Sequence, residues 1–283
     1  MADIWDRVEH RYAENDGVDI HYVTLGEGPL VVMIHGFPDF WYLWRDYLTA
    51  LSDEYQVVAI DQRGYNQSGR PTGVDSYAFE FLVGDVAAVI EDTGHESATV
   101  VGHDWGGFVA WAFAMQRPEM TEALVVFNAP HPRALQRELA LNEEQRENSA
   151  YARRFQMDGA HLALNAEQLA GLHGDDPVVY ERYVEALEKS DFEAMLNYYK
   201  ANYPRPPYSE DDSPVVMVRS PTLQFHGLED PYLLRGALND TWGFFEQELT
   251  LATIPGAGHW AVTERSAYTL PILKAWLELQ SAR

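Results

Sequence analysis

Cysteine is absent from this chain of 283 residues, which excludes disulfides, thiolate metal sites and a thiol nucleophile. Lysine is nearly absent too: Lys189, Lys200 and Lys274 are the only three, and 20 basic residues stand against 44 acidic ones for a formal charge of -24. A surface this negative repels phosphate backbones and anionic bilayers, so neither nucleic acid nor a membrane is expected as a partner. The same composition fits adaptation to high salt or plain solubility, and does not choose between them. No apolar run approaches the roughly 20 residues of a membrane span. The opening Met1-Ala2-Asp3-Ile4-Trp5-Asp6 lacks the basic-then-apolar order of a secretory signal. A soluble, cytoplasmic protein is therefore expected. Repeats, linkers and low-complexity tracts are missing as well, and the length suits one large core or a core carrying an inserted lid.

What is present is an alternation. Short apolar runs stand at 30–34, 57–60, 98–101, 123–127, 222–225 and 249–254. Unbroken apolar runs of this length suit strands buried on both faces. Amphipathic segments separate most of them, such as 79–92 and 108–116, the latter stopped by Arg117-Pro118. Residues 1–29 read as a lead-in with an exposed hairpin, since 18–23 alternates before a turn at Gly26-Glu27-Gly28-Pro29. The pattern predicts an α/β fold with a mostly parallel central sheet flanked by helices, and reactive loops at the carboxyl ends of the strands. It breaks from about Pro132 to Ser213, where no strand pattern occurs and Asn165 and Asp191 are candidate helix caps. This predicts a core made of 1–131 and 214–283, with 132–213 as an all-helical lid.

The sequence Gly102-His103-Asp104-Trp105-Gly106 closes one of those runs and precedes a helical segment expected from Phe108. Its spacing is that of a strand-to-helix elbow which exposes one nucleophilic side chain above the sheet. Serine is the usual occupant; here it is Asp104. A carboxylate that attacks an acyl carbon gives only a labile anhydride, whereas attack on a saturated carbon gives a covalent ester. Pro255-Gly256-Ala257-Gly258-His259-Trp260 follows the last strand, and this placement selects His259 among ten histidines as general base. Glu229 and Asp230 lie side by side after the preceding strand, and one carboxylate should orient the histidine. Asp230 is preferred, because a shorter acid suits the fixed turn before Pro231, which leaves Glu229 to solvent. In this kind of elbow the residue after the nucleophile and the loop after the first central strand supply oxyanion N–H groups, here the backbones of Trp105 and Phe37. His35 reads as a buried structural histidine, and the 61–65 loop as support for the same rim.

In order and in type, these motifs resemble the α/β-hydrolase superfamily and, within it, the epoxide hydrolases. The likeness runs over nearly the whole chain, through His35-Gly36-Phe37-Pro38, the Asp104 elbow, Asn128-Ala129-Pro130-His131-Pro132, Gly227 to Asp230, and Gly258-His259-Trp260. The family pattern puts the orienting acid three residues after the glycine, at Asp230. The other strand end at which relatives carry it holds Asn128, an amide that cannot serve. The resemblance also implies two lid tyrosines that hold and protonate the epoxide oxygen: Tyr151 within Ser149-Ala150-Tyr151-Ala152-Arg153-Arg154-Phe155-Gln156, and Tyr199 within Leu196-Asn197-Tyr198-Tyr199-Lys200. On residues alone the sixteen tyrosines would mostly read as packing. Tyr198 and Tyr199 point about 100° apart on a helix, so normally one of them faces a cavity, and Tyr203 reads as packing. What the resemblance implies chemically is a small apolar epoxide and water as substrates, a hydroxyalkyl ester on Asp104, a vicinal diol as product, and no metal or organic cofactor.

Two rivals share parts of this pattern. A haloalkane dehalogenase uses the same nucleophile and base but needs halide-stabilising donors rather than acids. Trp105 offers an indole N–H, yet the second donor such relatives often carry directly after His-Gly is replaced by Phe37, which has none to give. A fluoroacetate-type enzyme would be expected to hold arginine where Trp105 stands. An inactive binding scaffold would lack one catalytic role, and here each role has a candidate.

Overall fold

The computed structural model describes residues 3–174 and 176–282. One eight-stranded sheet forms the centre: β1 (Glu9–Asn15), β2 (Val18–Leu25), β3 (Leu30–Ile34), β4 (Gln56–Ile60), β5 (Ala98–His103), β6 (Thr121–Phe127), β7 (Thr222–Gly227) and β8 (Leu249–Ile254). Their spatial order is β1-β2-β4-β3-β5-β6-β7-β8. β2 runs antiparallel to both β1 and β4, and every other pairing is parallel. The apolar runs behave as expected of strands covered on both faces: all of β3, β5 and β7 is buried.

The lead-in differs from the sequence expectation. The hairpin turns at Asp16 and Gly17, both at positive φ, rather than at residues 26–29. Its second strand is not exposed: β2 lies inside the sheet, so Ile20, Tyr22 and Val23 are fully buried. The exposed member is the edge strand β1, whose polar sequence Glu-His-Arg-Tyr hid it. Lining such an edge with charge is a common guard against strand addition.

Helices α1 (Arg45–Leu51), α2 (Phe79–Asp92) and α3 (Trp105–Gln116) follow the core strands in turn. α3 starts at Trp105, three residues before the expected Phe108, because the two glycines of the elbow already belong to it. A Cβ on Gly106 would lie 2.1 Å from the Ile34 carbonyl oxygen, so only glycine lets the helix start this close to β3. Between β6 and β7 come α4 (Pro132–Leu141), α5 (Glu143–Asn148), α6 (Ala150–Phe155), α7 (Ala166–Ala170), α8 (Pro177–Lys189) and α9 (Phe192–Asn202). Asn165 caps α7 by accepting from Gln168 N, and Asp191 caps α9 by accepting from Glu193 N and Ala194 N. A bridge between Val218 and Phe245 returns the chain to the core before β7. The chain closes with α10 (Ala261–Glu264) and α11 (Ser266–Ser281). Among the described residues no helix is long and apolar enough to cross a membrane.

The connections place the reactive groups. From β3 the chain moves to β4 on one side, and from β5 it moves to β6 on the other. The carboxyl ends of β3 and β5 thus flank the switch point at which an open α/β sheet forms its crevice.

Candidate active site

Asp104 sits between the end of β5 and the first turn of α3 with φ 52° and ψ -121°, a strained conformation for a residue with a Cβ. The strain is imposed from below: a side chain on Gly102 would collide with the Gly106 carbonyl at 2.2 Å, so strand and helix close on each other and the residue between them is pushed upward. Gly36 faces it from the loop after β3, and a Cβ there would lie 2.3 Å from Asp104 Oδ1. The Phe37 N–H reaches Asp104 Oδ1 at 2.8 Å. The Trp105 N–H, as the first of α3, has no intrahelical acceptor.

His259 follows β8 and lies with Nε2 3.3 Å from Asp104 Oδ2 and Nδ1 2.8 Å from Asp230 Oδ2. Asp230 is buried, whereas its neighbour Glu229 is exposed. Asp230 Oδ1 accepts from Tyr232 N at 2.7 Å and Leu233 N at 3.0 Å, and Oδ2 also accepts from Asn128 Nδ2 at 2.9 Å. Burial opposes its charge, but His259 and these donors hold the carboxyl down at about 2. Burial alone would strip His259 of its proton; the charge of Asp230 and the hydrogen bond to Asp104 win, and the imidazole is pushed up to about 10. Asp104 is likewise held below the usual carboxylate range, its burial outweighed by His259. The resting arrangement is thus an imidazolium between two carboxylates.

A third buried carboxylate stands behind these two. Asp39, just past the His35-Gly36-Phe37-Pro38 turn, accepts from Tyr183 Oη at 2.7 Å and Trp260 Nε1 at 3.1 Å. His173 Nδ1 and His103 Nδ1 lie 3.5 and 4.0 Å from it. Burial drives both imidazoles to the neutral form, with pKa values of about 3 and about 4. Burial raises Asp39 to about 7, although its two hydrogen bonds and the charge of His259 pull the other way.

The inserted helices complete the enclosure. Tyr151 on α6 and Tyr199 on α9 line one cavity of about 160 Å³ with Asp104 and His259. Their rings meet edge to face at 6.0 Å. Burial raises both phenols well above their ordinary value, so both keep their protons. Tyr198 turns from the cavity and donates to the Arg63 carbonyl at 2.9 Å. Tyr203 donates to Ser149 Oγ at 2.9 Å and packs near Trp105. The rest of the lining is apolar: Phe37, Pro38, Phe155, Leu169, Leu172 and Trp260, with Tyr232 beside the histidine. The Trp105 ring instead lines a neighbouring cavity of about 150 Å³ with Phe79, Phe108, Leu135 and Tyr203.

The structure therefore brings Asp104, His259, Asp230, Tyr151, Tyr199 and the Phe37 amide to one place, with Trp105 N at the helix start beside them. Sequence reasoning missed Asn128 and Asp39. Asn128 was weighed only as an acid, yet its φ of 46°, tolerated by an asparagine, aims the amide at both Asp230 and the Gly258 carbonyl. Asp39 had one available signal, an acid at the carboxyl end of a central strand, but its partners lie in distant segments.

A doubly flanked, mostly parallel sheet with a strand-to-helix elbow and an Asp–His–Asp constellation at its carboxyl edge defines an α/β-hydrolase, and the chain belongs to that family: the alpha/beta hydrolase fold matches residues 29–266. Within it, the chain is 34% identical to epoxide hydrolase 1 of Caenorhabditis elegans over 90% of its own length and 66% of the worm protein, so it spans just under two thirds of that relative. It is also 34% identical to an AB hydrolase superfamily protein of Bacillus subtilis, over 97% of this chain and all of the other. The crystal structure of a Bacillus megaterium epoxide hydrolase bound to an inhibitor superposes with a TM-score of 0.88 at 29% identity, covering 95% of this chain and 100% of that one. Epoxide hydrolase 3 of Xenopus tropicalis is 30% identical over 95% of this chain and 78% of the frog protein, and the chain is a member of the epoxide hydrolase branch of the family.

Proposed function

We infer that this chain hydrolyses epoxides to vicinal diols, with Asp104 as the nucleophile. One observation carries the reading: a buried carboxylate and two protonated phenols face each other across a single apolar cavity. In the first step an Asp104 oxygen attacks an epoxide carbon, the C–O bond breaks, and the oxygen leaving as alkoxide takes a proton from Tyr151 or Tyr199, giving a hydroxyalkyl ester. Esterification removes the charge of Asp104. One of the two carboxylates that hold the proton on His259 is then gone, so the imidazole passes that proton to the phenolate left by ring opening, restores the tyrosine, and is free to act as base. In the second step His259, oriented by Asp230, takes a proton from water, and the resulting hydroxide attacks the ester carbonyl. The N–H groups of Phe37 and Trp105 stabilise the tetrahedral oxyanion, and collapse returns the diol and Asp104.

The substrate is a small apolar epoxide, because a cavity of about 160 Å³ with an aromatic and aliphatic lining fits little more. Residues 132–213 act as the lid over a core of 1–131 and 214–283, since both acid tyrosines come from that insertion. The acidic, cysteine-free composition fits a cytoplasmic setting. Dehalogenation gains no support: Phe37 offers no side-chain donor, and the Trp105 ring lines the neighbouring cavity rather than this one. Parallel assays with styrene oxide and 1-bromobutane separate the two reactions. Diol release from the epoxide with no bromide release from the haloalkane is expected; bromide release without diol overturns the reading.

A further inference from the structure

One buried polar group has no part in the mechanism above yet touches the supports of two of its residues. Gln145, on α5, is fully buried. Its Nε2 donates to the Tyr232 carbonyl at 2.8 Å and to Ser149 Oγ at 3.0 Å, and its Oε1 accepts from Leu234 N at 2.9 Å. The side-chain amide is thus clasped to the backbone of the loop just after Asp230. The same loop turns inward at Tyr232 N and Leu233 N, the two donors that hold Asp230 Oδ1. Gln145 grips this loop from outside while Asp230 is gripped from inside.

On its other side Gln145 meets the tyrosines. Ser149 is the N-cap residue of α6, the helix that presents Tyr151, and its backbone N–H bonds to the Gln145 carbonyl at 2.9 Å. The Tyr203 hydroxyl joins the same Ser149 oxygen, and Tyr203 N in turn donates to the Tyr199 carbonyl at 3.1 Å. The Tyr232 ring, fixed by the clasped loop, packs edge-on against Tyr151 at 5.1 Å and against His259 at 5.2 Å. A chain of hydrogen bonds therefore runs from the loop that holds the orienting acid through one glutamine to the start of the Tyr151 helix and to the backbone of Tyr199.

We propose that Gln145 is a positioning residue that locks the Asp230–His259 pair to the Tyr151 helix, so that the geometry for ring opening and that for ester hydrolysis are set together. The proposal rests on the epoxide-hydrolase reading. A packing residue would contribute to folding alone; a clasp of this kind sets two reaction steps, because a small misplacement of reacting groups is costly in rate. An amide with its partners met inside the protein holds a defined geometry that an apolar side chain of equal length cannot.

The test is single-turnover kinetics of full-length Gln145→Met and Gln145→Glu with styrene oxide, followed by rapid quench and intact mass of the Asp104 adduct. Gln145→Met keeps the length and removes every side-chain hydrogen bond; both adduct formation and adduct hydrolysis should slow by roughly ten-fold, with a raised KM. Gln145→Glu keeps the acceptor for Leu234 N and should recover part of both rates. Should Gln145→Met fail to fold, Ser149→Ala removes the oxygen that accepts from both Gln145 and Tyr203 but leaves Gln145 clasped to the 232–234 loop, and should slow the same two steps by a smaller factor. Wild-type constants for both steps in the folded variants, whatever their melting temperature, overturn the proposal. Slowing of one step alone overturns it too, since the clasp joins them. Wild-type protein that forms no adduct with any epoxide overturns the functional reading itself, and the proposal with it.

Discussion

The two halves of the site are positioned by different means. On the core side the backbone does the placing: parallel register brings the ends of β3 and β5 together, glycines at 36, 102 and 106 allow contacts that a Cβ would block, and a strained φ lifts Asp104. On the side of the inserted helices, side chains do it: Tyr151 and Tyr199 are held by aromatic edges and by buried amides such as Gln145 and Gln156, the latter donating to the Tyr199 and Tyr203 carbonyls. Backbone placement tolerates almost no substitution at a few positions. Side-chain placement spreads the work over many positions, each tolerating some change. The sheet half should therefore govern whether the reaction occurs, and the half built from the inserted helices how fast and on what.

The sharpest way to break this contrast is Asp104→Ala. Turnover of styrene oxide should fall by about 10⁴ or more, with no covalent adduct by intact mass; appreciable residual turnover would mean that the elbow does not carry the nucleophile. Next in size are the phenols. Tyr151→Phe and Tyr199→Phe should each slow ring opening by roughly 10² through lost proton donation, while hydrolysis of an ester already formed keeps its rate. If hydrolysis slows instead, the division of labour between the halves is wrong.

The smallest effect concerns Asp39, which ties Tyr183 of α8 to Trp260 of the loop after β8. Its carboxyl is raised from 3.8 to about 7 on folding. A raised acid keeps its proton more tightly in the native state, so the stability it lends is fully present below about 3.8 and is lost as pH climbs through about 7. Asp39→Asn removes that ionisation. The melting temperature of the variant relative to wild type should rise by a few degrees between about pH 5 and pH 8. A difference that stays flat over that range would show that the carboxylate is not destabilised by burial.

What was legible in the sequence follows the same divide. The elbow, His259 and the Asp230 turn showed themselves because their geometry demands glycine, proline and short spacing, all of which a single chain displays. The run of core strands was legible because burial on both faces requires unbroken apolar residues. β1 was not, since an exposed edge strand has no such requirement, and the start of α3 was set by contact with β3 rather than by local propensity. The two tyrosines were found by resemblance, because nothing local separates Tyr199 from Tyr198 except which one faces the cavity. Asp39 and Tyr183 stand 144 residues apart, and Gln145 and Tyr232 stand 87 apart. Pairs like these acquire meaning only once the helices fold over the sheet.

The central claim is that Asp104 is alkylated by the epoxide and that His259 then releases it. It is tested most directly by intact mass of His259→Gln after exposure to styrene oxide. Loss of the water-activating base should leave alkylation intact and stall hydrolysis, so the protein should gain the mass of one whole epoxide, located on Asp104 by peptide mapping. A variant that stays unmodified, or that carries the adduct on another residue, would contradict the account.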